Sequence, residues 1–160
     1  MADMKSTGAV KGEPKEMETK VHFELLEKPD RVEGICKLLL RRGRLTPHVL
    51  ILCPDDAFAA QLNERLWTIH PESFLAHDLA GDGVEKNSQQ PILLATSIMR
   101  DNAAPVLING GLEIPQDVSG FAHIVDFVDG WDESLKQAAR ERFRTYRQMG
   151  LEPTYLARKG

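Results

Sequence analysis

The sequence predicts an α/β domain with a largely parallel sheet and helices on both faces. Short apolar runs alternate along the chain with segments whose apolar residues recur at helical spacing. The run Val49–Cys53 is continuously apolar, which is typical of a strand buried on both faces. The 160 residues are 42% hydrophobic and 28% charged, as in one ordinary globular domain. Together these observations favour a single three-layer, Rossmann-like domain.

Strands are predicted where short apolar runs end at polar residues, glycine or proline: 21–26, 49–53, 73–77, 92–95, 106–109 and 123–128. Helices are predicted where apolar residues recur every three or four positions: 29 to about 42, 55 to about 69, and 132 to about 150. Residues 81–90 are rich in glycine and polar side chains and are expected to form a loop.

Residues 1–20 mix lysine, glutamate, glycine and proline without an apolar period, so we expect a flexible N-terminal tail before a domain over 21–160. This tail lacks the apolar stretch of a signal peptide. The longest apolar run in the chain has five residues, far below the roughly 18 needed to span a bilayer, so no membrane association is expected. Two cysteines provide no disulfide framework, which is typical of a reducing cytoplasm.

The sequence offers candidate catalytic residues but no catalytic constellation. Gly81-Asp82-Gly83 lacks a third glycine and a clear helix after it, so no nucleotide-binding loop is expected. Cys53 follows a strand, but neighbouring carboxylates would raise its pKa, so a buried core thiol is favoured there and at Cys36. The five histidines show no zinc-ligand spacing, and no metal or other cofactor is expected.

Positive charge is concentrated at the C-terminal end. Residues 134–160 hold seven cations and two carboxylates, a net charge of +5, whereas residues 1–133 carry −9. On the predicted last helix, Lys136, Arg140, Arg144 and Arg147 fall along one ridge, and Phe143 lies between this ridge and the apolar face. Such a surface suits an acidic peptide with an apolar end and a free carboxylate; an ordinary solvated helix face has the same pattern.

Arg142 breaks the apolar face of that helix, which otherwise includes Leu135, Ala139, Tyr146 and Met149. An unpaired charge there would be costly. We therefore expect a carboxylate from the sheet, first of all Asp126, to pair with Arg142.

Several motifs resemble one protein family. Residues 124–128 (IVDFV) and 132–144 (DESLKQAARERFR), followed by Tyr146-Arg147 and Gly150, are similar to the C-terminal signature of the chi subunit of bacterial DNA polymerase III. Residues 66–67 (LW), 71–74 (PESF) and 77–83 (HDLAGDG) resemble the central motif of that family. The resemblance extends over about residues 21–150.

This resemblance implies a noncatalytic accessory subunit of the replicase, located in the cytoplasm at the replication fork. In the family, chi pairs with the psi subunit, which links it to the clamp loader. Chi also captures the acidic, phenylalanine-ended C-terminal tail of the single-stranded-DNA-binding protein, so its contact with DNA is mainly indirect. The residues that match the tail pocket of the family are Val128, Lys136, Arg140, Phe143, Arg144 and Gly150, and the ridge adds Arg147. Those that match the psi-binding surface are Trp67 and Phe74.

The chain departs from the family pattern at a few positions. Phe143 stands where tyrosine is frequent, and Arg144 where lysine is common. The link that contains Trp131, before the last helix, is one residue longer, and Trp131 is expected to be exposed.

Two other functions remain open from the residues alone. One is a small α/β enzyme or nucleotide-binding protein that uses the loops around Cys53 and Gly81, and the other is direct nucleic-acid binding by the basic helix.

Overall fold

The computed structural model describes residues 19–42, 48–69, 72 and 75–156, and the predicted tail over 1–20 lies almost wholly outside this range. The described strands are β1 (Lys20–Leu26), β2 (Val49–Leu52), β3 (His77–Leu79), β4 (Ile92–Ala95), β5 (Val106–Asn109), β6 (His123–Asp129) and β7 (Glu152–Leu156). The described helices are α1 (Arg31–Arg42), α2 (Asp56–Thr68), α3 (Val84–Ser88) and α4 (Glu133–Gln148).

The seven strands form one sheet in the order β3-β4-β2-β5-β6-β1-β7, and every described strand pair is parallel. The central strands β2 and β5 are buried almost throughout, because helices or loops cover both of their faces. The predicted α/β fold with a parallel sheet is confirmed.

Two apolar clusters lie on opposite faces of the sheet. The first contains Ile35 and Leu39 of α1 together with Leu62 and Leu66 of α2. The second contains side chains of α4, such as Tyr146, and of the segment between β5 and β6, such as Phe121. The molecule therefore has the three layers that the sequence predicts.

Aspartates cap two of the helices at the predicted positions. The Asp55 carboxylate accepts a hydrogen bond from the Phe58 amide at 2.8 Å, and the Asp132 carboxylate accepts one from the Leu135 amide at 2.9 Å. The Ser134 hydroxyl and the Leu135 amide together lower the pKa of Asp132. After α4, Gly150 takes a left-handed conformation with φ +87°, which turns the chain into β7.

Three elements differ from the sequence prediction. The strand expected at 73–77 forms at His77–Leu79, and Ser73 lies outside the described residues. Helix α3 forms within the expected loop because the buried Asn87 side chain bonds the Gly81 amide at 3.0 Å and the Gly81 carbonyl at 2.9 Å. Strand β7 was not predicted, because it contains Pro153 and polar residues and, at the edge of the described sheet, pairs with β1 alone.

Among the helices that the structure describes, none is long and apolar enough to cross a membrane.

Candidate functional site

A cavity of about 420 Å³ lies between α4 and the β6-β1-β7 end of the sheet. It is lined by Phe23, Leu25, Val128, Gly130, Lys136, Ala139, Arg140, Phe143 and Tyr155. We call it the helix cavity. Its walls combine aromatic and aliphatic side chains with two cations, so it can hold an apolar group close to an anion.

The register of the three strands explains why these side chains meet. Leu25 is paired with Val128 on β6, and Phe23 is paired with Tyr155 on β7, so all four project from the same face of the sheet toward α4. The Phe23 and Phe143 rings lie 5.5 Å apart, which joins the sheet side of the helix cavity to the helix side.

The cations on α4 are held loosely. Lys136 is 3.2 Å from Glu133 across one helical turn, and Arg144 is 2.9 Å from Glu141. Arg140 donates a hydrogen bond at 3.0 Å to the neutral side chain of Gln137. These contacts are solvent-exposed and within one helix, and such pairs contribute only a few tenths of a kcal/mol. An incoming carboxylate can therefore compete for Lys136 and Arg140 at low cost.

Of the seven residues predicted for tail binding, the structure brings Val128, Lys136, Arg140 and Phe143 together around the helix cavity. Arg144, Arg147 and Gly150 are exposed and do not line it. The helix cavity thus lies at the N-terminal and central turns of α4 and does not extend along the whole ridge to Arg147. Met149, expected on the core face, is 44% exposed because the helix ends there.

Sequence reasoning missed the sheet side of the helix cavity: Phe23, Leu25, Gly130 and Tyr155. The alternation of Val21, Phe23 and Leu25 within β1 could have placed two of them on the face toward α4. Tyr155 could not have been found in that way, because β7 itself lacks a strand pattern. Trp131 is 43% exposed, as predicted.

A buried polar network fixes α4 on the sheet beside the helix cavity. Asp126 is fully buried and accepts hydrogen bonds from Arg142 Nε at 3.3 Å, Tyr146 Oη at 2.9 Å and Asn109 Nδ2 at 3.2 Å. Arg142 also donates to the Phe127 carbonyl at 2.9 Å. Burial, and then the Asp126 charge, raise the pKa of Tyr146. The predicted Arg142–Asp126 pair is confirmed, and it holds the helix in register with β6.

The surface around Trp67 lies at the opposite edge of the sheet. The Trp67 ring is half-exposed and packs against the His77 ring, with 4.4 Å between their centroids and an angle of 46° between their planes. The His77 nitrogens lie 2.6 Å from the Leu75 carbonyl and 3.2 Å from the Asn63 carbonyl, which fixes the imidazole beneath Trp67. Phe74, the other residue predicted for psi binding, lies outside the described residues.

The residues considered for catalysis do not form a reactive site. Cys53 is 1% exposed, and burial, together with nearby Asp55, raises its pKa to about 12. Cys36 is fully buried, and its pKa is likewise raised to about 12. Both thiols therefore stay protonated at neutral pH and pack in the core, as predicted. Among the residues that the structure describes, no three histidine, cysteine or acidic side chains are grouped to hold a metal ion.

Solved structures with a similar fold include domains of DEAD box proteins. The chain is similar to the C-terminal domain of Saccharomyces cerevisiae Dbp5, a structure with bound Gle1 and IP6, at 12% identity and a TM-score of 0.60 over 87% of this chain and 89% of that one. A DEAD box protein from Methanococcus jannaschii matches at 15% identity and a TM-score of 0.61 over 98% of this chain and 46% of that one. At such identities, these similarities describe the fold alone.

Sequence comparisons identify the family. The chain is 35% identical over 137 residues to the DNA polymerase III subunit chi of Escherichia coli, with 81% of this chain and 91% of that protein covered. It is 32% identical to the corresponding subunit of Pseudomonas aeruginosa, with 82% and 92% covered. The family model described as DNA polymerase III chi subunit, HolC, matches residues 17–154. The chain therefore belongs to the chi subunit family of DNA polymerase III and is a component of bacterial DNA replication.

Proposed function

We propose that this chain captures the acidic, phenylalanine-ended C-terminal tail of the single-stranded-DNA-binding protein in the helix cavity. The observation that carries the proposal is that Val128 and Phe143 form an apolar wall while Lys136 and Arg140 lie at the same cavity. A terminal aromatic residue requires an apolar wall for its ring and a cation for its α-carboxylate. Membership of the chi family supports this choice of ligand.

The roles of the residues follow from their chemistry. The Arg140 guanidinium, which donates a hydrogen bond to the neutral side chain of Gln137, makes a forked pair with the terminal carboxylate of the tail. Val128, Phe143 and Phe23 enclose the terminal ring. Arg144 and Arg147, outside the cavity but farther along the same helix, attract the acidic residues upstream.

Replacing Arg147 by alanine should weaken tail binding by less than about 1 kcal/mol at low salt, the range for exposed charge pairs. The difference from wild type should shrink as salt screens the charge. Calorimetric titrations of both chains with the tail peptide, at low and at high salt, measure it. A large loss that persists at high salt would place Arg147 in direct contact with the tail and contradict the role proposed here.

We also propose that the Trp67 surface pairs with the psi subunit and that psi links the chain to the clamp loader. A half-exposed tryptophan fixed on a buried histidine is the type of residue that contributes strongly to protein interfaces. Its position at the β3 edge, away from the helix cavity, allows psi and the tail to bind at the same time.

Replacing Trp67 by alanine should weaken psi association by about 1–2 kcal/mol and leave tail binding unchanged, because an interface tryptophan buries a large apolar area. Surface plasmon resonance with immobilised psi measures the change. Trp131→Ala is the matched control, since it removes the other, similarly exposed tryptophan of the chain. Equal losses in both variants would argue against a specific Trp67 contact.

A single DNA-binding assay distinguishes tail capture from direct nucleic-acid binding by α4. The proposed function predicts that the isolated chain binds single-stranded DNA only weakly. It also predicts that the chain is recruited to the DNA once the single-stranded-DNA-binding protein coats that DNA. Strong binding of the chain alone, falling steeply with salt, would favour direct contact with phosphates. We further infer that the chain has no catalytic activity of its own, an inference that rests on the family alone.

A further inference from the structure

A second and larger cavity, of about 780 Å³, opens at the carboxyl ends of β2, β4 and β5. It shares no lining residue with the helix cavity. Its walls are formed by residues 52–54 at the end of β2, residues 96–98 after β4 and residues 109–117 at and beyond the end of β5, together with Arg31 and Phe58. We call it the strand-end cavity. The functions proposed above do not use it.

At this cavity, two neighbouring strands of the sheet end, and the chain continues from them toward opposite faces of the sheet. Neighbouring strands β2 and β5 continue into α2 on one face and into the segment containing Val118 and Phe121 on the other. In open parallel sheets, the crevice between two such strand ends is the usual place for a ligand, because the diverging connections leave it uncovered.

Buried and partly buried side chains donate hydrogen bonds to the backbone carbonyls of the loop wall. Arg31 donates to the Gly110 and Gly111 carbonyls at 3.3 and 3.1 Å, Arg142 to the Leu112 carbonyl at 3.0 Å, and Asn109 to the Glu113 carbonyl at 3.0 Å. Four successive carbonyls thus have partners inside the protein. The wall is therefore formed before any ligand binds, which lowers the entropic cost of binding.

Gly110 allows the two strand ends to approach closely. A Cβ at this position would lie 2.8 Å from the Leu52 carbonyl oxygen and 3.3 Å from the Phe58 ring. The floor of the cavity is therefore set by direct backbone contact between neighbouring strands, and only glycine fits there.

The lining is mainly apolar, and the charges at its rim are mainly negative. Leu112 is 46% exposed at the mouth, next to the exposed carboxylate of Glu113. Asp117 and, directly after Pro54, Asp55 and Asp56 are also exposed. The Ser119 hydroxyl and amide, together with Arg100 at 3.6 Å, lower the pKa of Asp117, which keeps this carboxylate ionised at neutral pH.

The cation inside the cavity is already neutralised. Arg31 lies 3.0 Å from Asp129, which is nearly fully buried. A phosphate would thus meet no unpaired cation in the lining and would face repulsion from Glu113 and Asp117. The chemistry of this cavity therefore disfavours nucleotides, although its position in the fold is one at which nucleotides often bind.

We propose that the strand-end cavity is a docking site for a peptide segment of a partner protein in which two or three bulky apolar side chains are flanked by lysine or arginine. The apolar side chains fill the volume between Ile98, Leu112 and Ile114, and the flanking cations meet the acidic rim. This chemistry is opposite in charge to the acidic tail proposed for the helix cavity, so the two sites select different partners.

Selection from a phage-displayed library of random peptides, with the full chain as bait, tests this proposal. Clones that also bind the double variant Leu112→Ser/Glu113→Lys are discarded, so that the remaining clones depend on the mouth of the strand-end cavity. Enriched peptides should carry apolar residues between basic ones. As synthetic peptides, they should bind wild type at least about tenfold more tightly than Leu112→Ser and should lose affinity as salt rises.

Two matched variants control for general changes in surface character. Leu79→Ser removes a leucine of similar exposure from the β3 edge, and Glu85→Lys reverses an exposed charge on α3; both should bind the selected peptides as wild type does. Amide shifts of residues 96–98 and 112–116 in NMR spectra of the wild-type chain should locate the peptide. Acidic or uncharged enriched sequences, no clones specific to wild type, or equal affinity for Leu112→Ser would each overturn the proposal.

Discussion

Replacing Asp126 by alanine should lower the free energy of unfolding by about 3–5 kcal/mol, the range observed when one partner of a buried ion pair is removed. The loss leaves the guanidinium of Arg142, whose side chain is 5% exposed, facing a site without a countercharge. It also removes the acceptor for the buried Tyr146 hydroxyl and for one Asn109 donor. Urea unfolding followed by circular dichroism measures the change.

Glu141→Ala is the matched control for that variant. It breaks the Glu141–Arg144 pair on the same helix, but both of those side chains are 59% exposed, so the loss should stay below about 0.5 kcal/mol. A double variant, Asp126→Leu with Arg142→Met, should recover part of the loss, because it removes both buried charges together. If Asp126→Ala costs no more than Glu141→Ala, the network does not fix α4 on the sheet.

Replacing Arg140 by alanine should weaken tail binding by about 1.5–3 kcal/mol, the range for a hydrogen bond to a charged group, which is about 10- to 150-fold. The effect should persist at moderate salt, because the carboxylate lies at the cavity and not in bulk solvent. The fold should be unaffected, since Arg140 is exposed and, among the described residues, donates a hydrogen bond only to Gln137. Calorimetric titration with the tail peptide measures the affinity.

Arg144→Ala provides the control for Arg140→Ala. Arg144 lies one turn farther along α4 and carries the same charge, but it does not line the helix cavity. The Arg144→Ala variant should therefore bind the tail peptide less than about fivefold more weakly than wild type, as expected for the loss of a screened surface charge. Equal affinity of wild type and the Arg140 variant at low salt would contradict the assignment of the carboxylate contact to Arg140.

The sequence was sufficient for features that depend on local chemistry or on one strong energetic penalty. The Val49–Cys53 run and the caps Asp55 and Asp132 follow from burial on both strand faces and from the unpaired amides at helix starts. The Arg142–Asp126 pair could be predicted because an unpaired charge on an apolar helix face is too costly to be left alone.

Features that depend on tertiary pairing could not be predicted in this way. Strand β7 depends on its pairing with β1, and short α3 on the buried Asn87, so neither has a clear local pattern. The α4 side of the helix cavity was predictable from helical spacing. Its other side required the register that places Phe23 beside Tyr155 and Leu25 beside Val128.

Chemical-shift mapping of the labelled full chain with the tail peptide tests tail capture most directly. The proposal predicts that the amides of Val128, Gly130, Lys136, Arg140 and Phe143 shift with one common affinity. It also predicts that a peptide lacking its terminal phenylalanine leaves them unchanged at the same concentration. Saturable shifts confined to the strand-end cavity or to the Trp67 surface, with the helix cavity unperturbed, would contradict it.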